Sequence, residues 1–266
     1  MAKIAILGGG NLGTAIARGV VKAKLAKAGD VIVTRRNLSK IESLRKEGFV
    51  LTTDNVTALK KSSVVILCVQ PKQLQALLSE VGKAIDSKKH ILVSTITGIT
   101  TEEIANYADS NVAIVRAMPN TAIAIGSSMT CLCSRNASEM QLNNVKNLFD
   151  SLGVTLVIEE RLMKAATVLA ASGIAFFMRY IRAATQGGIQ LGFDAEEAQL
   201  IAAQTAKGAA SLLLSQESHP ELEIDKVTTP EGCTIAGLNE MEHQGLSSAL
   251  IKGIIASFEK INNIRK

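Results

Sequence analysis

Three glycines, two arginines and one threonine-rich turn have the types and spacing to do chemistry in this 266-residue chain. The stretch "IAILGGGNLGTAIARGV" sets Gly8, Gly10 and Gly13 in GxGxxG spacing, directly after an apolar run and at the start of a helical pattern. In that context Gly8 permits a tight turn, Gly10 lets the backbone approach a pyrophosphate, and Gly13 allows close packing of helix on strand. Asn11 and Leu12 lie between them at the helix N-terminus, where backbone N–H groups and the helix dipole favour an anion. The second strand pattern, "VIVT", ends in Thr34, Arg35, Arg36 and Asn37. An NAD site usually carries Asp or Glu there for the ribose hydroxyls, whereas paired guanidiniums suit a 2′-phosphate. The expected cofactor is NADP as NADPH, with NAD as second choice.

The turn is "VTTPEGCTI", Val227 to Ile235. Read locally it is a helix start, with Thr229 as N-cap, Pro230 in the first helical position and Glu231 at the positive end of the dipole. The same backbone geometry can hold a carboxylate, in competition with Glu231.

Other chemistries find no support. Cys68, Cys131, Cys133 and Cys233 match no zinc or redox spacing, and His90, His219 and His243 are unclustered, so no metal is expected. The net charge is +5, but the Lys and Arg residues are scattered and aromatics make up 3% with no Trp, so nucleic acid is not an expected partner. The first apolar run is too short for a signal peptide and "VLAASGIAFFM" too short to span a membrane, which leaves a cytoplasmic protein as the expectation.

The elements that must position these residues fall into two halves. Up to residue 160, β-branched runs alternate with amphipathic segments: "KIAIL", "VIVT", "VVILCV", "HILVST", "VAIVRAM", "SMTCLC" and "VTLVI". Strands apolar throughout are expected where helices cover both faces of a parallel sheet, so residues 1–160 read as an α/β, doubly wound Rossmann-type dinucleotide domain. Residues 161–266 show no convincing strand and read as an all-α domain. Its helices are expected at Leu162–Gln190, Asp194–Ser215, Thr234–Glu242 and Leu246–Asn263. The first is apolar nearly all round, which in so small a domain argues for a second subunit completing the core.

The sequence resembles the pyrroline-5-carboxylate reductase family nearly end to end. The likeness is carried by "GGGNLGTAIARG", "TDNVTAL", "VQPKQL", "STITGI", "VRAMPNT", "AASGIAFF", "AAQTAKGAASLL" and "VTTPEGCTIAGLNEMEHQGL". It implies a dinucleotide domain followed by a helical substrate-binding and dimerisation domain, and hydride transfer from NADPH or NADH to a cyclic imine carboxylate, giving proline. It implies Thr234 as the hydroxyl near the imine nitrogen. Thr229, Pro230, Glu231, Gly232 and Cys233, with Ser172, would form the substrate site. Asn55 would contact the adenosine ribose or its phosphate, Val69 and Pro71 would line the dinucleotide, and Met118, Pro119 and Asn120 would lie near the nicotinamide. A homodimer or higher homo-oligomer is expected through the C-terminal helices.

The chain departs from the family pattern at several points. Glu231 replaces a Gly, Ile174 a Pro, Ala171 a Gly, Phe176 a Tyr and Ala122 a Pro, and Gln70 with Lys72 reverses the usual order around Pro71. If the replaced glycine requires positive φ, Glu231 carries strain. Two readings stay beside the reductase: an imine reductase of the same fold with another substrate, and a non-catalytic NADP-binding paralogue. A β-hydroxyacid dehydrogenase would use Lys164, but Val168 stands where its partner Asn belongs.

Overall fold

The computed structural model describes residues 3–108 and 110–262. By backbone contacts the chain divides into two compact units, the first running to Ser172 and rejoined by the end of the last helix from Lys260, the second Gly173–Glu259.

In the first unit the order is β1 (Ile4–Leu7), α1 (Asn11–Lys22), β2 (Val31–Thr34), α2 (Glu42–Lys46), β3 (Val50–Thr52), α3 (Asn55–Lys60), β4 (Val64–Leu67), α4 (Pro71–Val81), β5 (Ile91–Ser94), α5 (Thr101–Ala105), β6 (Ala113–Met118), β7 (Ser128–Arg135), α6 (Glu139–Asp150) and β8 (Gly153–Val157). The strands form one sheet in the order β3-β2-β1-β4-β5-β6-β7-β8. The order reverses beside β1, the switch point where a doubly wound sheet opens a crevice at the carboxyl ends of its strands.

Pleating sorts the apolar runs onto two faces. Ile4 and Ile6 join a core with Ile16, Val20, Leu148 and Phe149, while Ala5 and Leu7 join one with Leu59, Leu74, Leu78 and Ile104. Helices therefore cover both sides, and fully buried strands such as β4 need no polar alternation.

Two details differ from the sequence reading. β3 is an added edge strand of three residues, too short to show a period. β7 runs antiparallel to β6, so the sheet is mixed, because the connection from Pro119 to Ser127 is shorter than a parallel crossover needs.

After β8, Leu162–Gln190 reads as one long helix in the sequence. It is built as α7 (Met163–Ala166), a π-helical turn (Thr167–Ser172) and α8 (Gly173–Gln190). The composition changes at 160/161, yet Met163, Thr167 and Val168 are buried in the first unit, so the compact division falls after Ser172. The helical run Glu160–Gln190 is also long and apolar enough, by length and composition only, to cross a membrane, with 28% of its most apolar window buried. Counting "VLAASGIAFFM" alone missed this, because the helix is 31 residues long and polar residues interrupt the run without lowering its mean hydropathy far.

The second unit continues with α9 (Ala195–Gln216), α10 (Pro220–Val227), α11 (Cys233–His243) and α12 (Leu246–Asn262). Asn263, the expected last residue of α12, lies outside the described residues. α8 and α9 pack closely, and a Cβ on Gly188 would sit 3.0 Å from that of Ala198. α10 is absent from the sequence reading, although His219 accepting from Glu221 N–H and Pro220 in the first turn make a regular start. Within this unit large apolar side chains stay uncovered, with Phe177 and Leu200 at 70% exposure and Leu214 at 82%.

Candidate functional site

The glycine loop joins β1 to α1. Gly8 has φ +120°, and a Cβ on it would come within 2.3 Å of the Cys68 carbonyl oxygen, so no other residue fits. A Cβ on Gly13 would lie 2.2 Å from Gly8 O, which is the close helix-on-strand packing that the spacing implies. At Gly10 it would meet nothing within 4 Å. Gly10 is the N-cap of α1, with no side-chain cap and no acidic residue in the first turn, so the N–H groups at Asn11 and Leu12 keep their positive potential. These features fit the pyrophosphate of a dinucleotide.

Sequence reasoning passed over Gly9 and named Thr34 only as a strand end. Gly9 N–H donates to Thr34 O at 2.7 Å, and a Cβ on Gly9 would strike Val33 Cγ1 at 2.9 Å. The triple glycine is therefore pinned to the end of β2. The signal was present as the middle glycine of "GGG", which the GxGxxG pattern leaves free.

At that strand end Arg35 and Arg36 part company. Arg35 is half-buried and donates from Nη1 to Gly9 O at 2.6 Å, whereas Arg36 is exposed. Asn55, the first residue of α3, is clamped from two sides. Its Oδ1 accepts from the Thr34 hydroxyl at 2.6 Å and its Nδ2 donates to Glu80 at 3.0 Å. Asn55 is thereby fixed beside the end of β2.

Further along the carboxyl edge, Val69 and Pro71 follow β4, with Gln70 and Gln73 capping α4 reciprocally. Burial pushes the Cys68 thiol up to about 11, so it is a neutral packing group. After β6, Met118 and Pro119 are buried and Asn120 is half-buried. Asn120 N–H donates to Ser128 Oγ at 3.1 Å, its Oδ1 accepts from Ala122 N–H at 3.0 Å, and its Nδ2 donates to Ala170 O at 3.3 Å. "MPN" thus ends β6 and caps the short helical turn Thr121–Ile125, and its Asn120 side chain ties the end of β6 to the π-helical turn carrying half-buried Ser172. The first unit brings the dinucleotide candidates onto one edge of the sheet, spread over the ends of β1, β2, β4 and β6.

The remaining candidates lie in the second unit. The helix expected from Thr234 begins at Cys233, with Gly232 as N-cap and no side-chain cap, so Pro230 does not open it as the local cap reading had it. Thr229 is therefore not the N-cap. Thr229 O accepts from Gly232 N–H at 3.0 Å and closes a turn with Pro230 second and Glu231 third. Glu231 has φ +57°, the left-handed conformation that the third position of such a turn asks of Gly or Asn. A Cβ on Gly232 would approach Thr229 Oγ1 to 2.4 Å, so Thr229 and Gly232 fit as a pair. Glu231 and Cys233 are exposed and Thr234 half-buried. The Thr228 hydroxyl is spent on Ile224 O at 2.8 Å, while that of Thr234 has no partner among the described residues. The first turn of α11 holds no acidic residue, leaving its N–H groups open to an anion. Among the described residues no three His, Cys, Asp or Glu side chains gather as a metal would need.

Residues 160–264 match the family described as pyrroline-5-carboxylate reductase dimerisation, and residues 3–98 match NADP oxidoreductase, coenzyme F420-dependent. Pyrroline-5-carboxylate reductase 2 of Dictyostelium discoideum is 47% identical over 97% of this chain and 91% of its own length. Pyrroline-5-carboxylate reductase 1 of the same organism is 50% identical over 97% of this chain, and the chain spans 49% of that longer relative. The crystal structure of Plasmodium falciparum pyrroline carboxylate reductase with NADP bound superposes with a TM-score of 0.89 at 22% identity, over 98% of this chain and 97% of the other.

Proposed function

The chain belongs to the pyrroline-5-carboxylate reductase family, and from that membership we propose that it reduces 1-pyrroline-5-carboxylate to L-proline at the expense of NADPH. The observation that carries the reading is the 47% identity to a relative of that name along nearly the whole of both chains. The chain is an oxidoreductase acting on a C–N bond.

The reaction adds hydride to the imine carbon and a proton to its nitrogen; NADPH, when bound, supplies the hydride. A protonated cyclic imine is electrophilic on its own, so the protein has mainly to position two reactants and hold a carboxylate. In this reading residues 1–160 hold the dinucleotide. Gly8, Gly10, Asn11, Leu12 and Gly13 receive the pyrophosphate, Arg35 and Arg36 the 2′-phosphate, and Asn55 the adenosine ribose. Val69 and Pro71 line the cofactor, and Met118, Pro119 and Asn120 flank the nicotinamide.

Residues 161–266 supply the substrate side. The turn from Thr229 to Cys233 presents the free N–H groups at the start of α11 to the substrate carboxylate, with Ser172 as a further contact. The uncommitted Thr234 hydroxyl donates to the imine nitrogen. The exposed apolar residues of α8 and α9 are covered by a second copy, making a homodimer or higher homo-oligomer of a cytoplasmic enzyme.

One feature supports a second reading, an imine reductase of the same fold with another substrate: Glu231 sets a carboxylate on the carboxylate-holding turn. The test is NADPH oxidation by the purified protein with and without pyrroline-5-carboxylate. Substrate-dependent oxidation with proline as product is expected. NADPH binding without turnover sinks the reading.

A further inference from the structure

Glu160 stands where the first unit's sheet hands over to the long helical run. Its Oε1 accepts from Thr101 N–H at 2.7 Å and from Arg116 Nη1 at 3.1 Å, and its Oε2 accepts from the Thr101 hydroxyl at 2.6 Å. Arg116 is 3% exposed, the one charged residue in the buried set among the described residues. It lies inside β6, in register with Ser94 of β5 on one side and Cys133 of β7 on the other. A guanidinium stays charged at any ordinary pH, and burying one costs several kcal/mol unless it is paired and hydrogen-bonded. A core of this kind would be filled more simply by an apolar side chain, so the pair calls for a purpose beyond packing.

Its position supplies one. Thr101 opens α5 directly after the loop that leaves β5, Thr95–Thr100, and Met118 lies two residues beyond Arg116 at the end of β6. The start of that loop is anchored separately, since Thr95 donates from both N and Oγ1 to Leu67 O at 3.1 Å. Thr100 and Glu103 make a reciprocal cap of α5, and the next N–H, that of Thr101, goes to Glu160, 59 residues away. Two segments at the carboxyl edge of the sheet, the one after β5 and the end of β6, thus hang on one carboxylate.

We propose that Glu160 is a positioning residue for hydride transfer: by holding Thr101 directly and β6 through Arg116, it fixes the Thr95–Thr100 loop against Met118–Asn120. The proposal rests on the reductase reading for its chemical consequence, though not for the geometry. Loss of the grip leaves the glycine loop, two strands away, intact. Cofactor affinity then survives while the alignment of the reacting end is lost.

The experiment compares Glu160→Ala and Glu160→Gln with the unaltered protein in three measurements. The first is amide hydrogen exchange of the cofactor-free chain. The second is NADPH affinity by fluorescence titration. The third is turnover of pyrroline-5-carboxylate with NADPH and with NADPH deuterated at the transferred position. Glu160→Ala is expected to speed exchange in the segment 95–105 and not in 4–17, to leave NADPH affinity within about threefold, to lower kcat by about tenfold, and to raise the isotope effect. Glu160→Gln keeps an acceptor for Thr101 and is expected to restore protection there and much of kcat. Uniformly faster exchange through the first unit, or an unchanged kcat and isotope effect, overturns the proposal. If Glu160→Ala fails to fold, Glu160→Asp decides, since it keeps a charge for Arg116 but withdraws the carboxylate from Thr101: exchange in 95–105 and an isotope effect both equal to the unaltered protein's overturn it. Failure of the unaltered protein to form proline would count against the reductase reading alone, and the exchange pattern would still judge the grip of Glu160 on Thr101.

Discussion

The Arg35 guanidinium donates to the carbonyl of Gly9 at 2.6 Å, so a residue assigned to the cofactor's 2′-phosphate is also a strut of the loop that receives the pyrophosphate. Arg36, next in sequence, is exposed and free of that duty. The two arginines therefore separate by experiment. Arg36→Ala removes one charge-assisted contact and should weaken NADPH binding by about 10- to 100-fold while leaving NADH alone. Arg35→Ala loosens the loop as well and should weaken both. Fluorescence titration with each cofactor checks this, and equal losses of NADPH and NADH in Arg36→Ala would reject the 2′-phosphate assignment.

Glu231 at φ +57° predicts a ladder of stabilities. A non-glycine residue in the left-handed region costs roughly 1–2 kcal/mol, and Asn tolerates it better than Glu. Glycine relieves the strain but adds entropy to the unfolded chain, which returns part of the gain. Glu231→Asn should therefore raise the melting temperature by about 2 °C, Glu231→Gly by less, and Glu231→Val should lower it. A melting series in which Val equals Glu would show that this turn carries no backbone strain.

Much of the fold is legible in the sequence because burial on both faces leaves strands such as "IAIL" and "VVIL" as unbroken apolar runs. What was not legible is short or locally ambiguous. β3 spends three residues on an edge. The sense of β7 depends on the length of its connection, which apolar content does not report. In "VTTPEGCTI" the Thr, Pro and Glu signals suit a helix start at Pro230 as well as the one expected from Thr234, and a turn closed by Thr229 and Gly232 puts it at Cys233. The glycine loop could be read because Gly8 and Gly13 each answer to a steric constraint. The bonds of Glu160 to Thr101 and of Asn120 to Ala170 could not, since the partners lie 59 and 50 residues away.

His90 gives the protein an acid-sensitive element remote from the glycine loop. Its Nδ1 accepts from Asp86 N–H at 2.9 Å. Burial holds its pKa below the usual histidine value, Lys89 adds to the effect, and Asp86 and the Leu59 carbonyl oppose it. The unfolded chain therefore binds a proton near pH 6.5 that the folded chain refuses. Stability is complete above that pH and falls as pH drops toward the depressed folded value. Melting temperatures from pH 7.5 to 5 should decline, and His90→Asn, which keeps an acceptor for Asp86 N–H without a titrating ring, should flatten the decline. An unchanged slope in His90→Asn would place the acid sensitivity elsewhere.

Thr234 tests the chemistry most directly. Its hydroxyl has no partner among the described residues, so removing it breaks no hydrogen bond of the folded chain and the variant should melt as before. If the hydroxyl donates to the imine nitrogen, Thr234→Ala should lower kcat by about 100-fold with NADPH affinity nearly unchanged. Thr234→Ser, which keeps the hydroxyl, should recover most of the rate. Steady-state kinetics on pyrroline-5-carboxylate, with melting curves on the same samples, distinguish this from a helix-start role. A helix-start role would lower the melting temperature in Thr234→Ala and leave kcat in place. A donor to the imine does the reverse, because the reaction uses the bond that the fold leaves unmade.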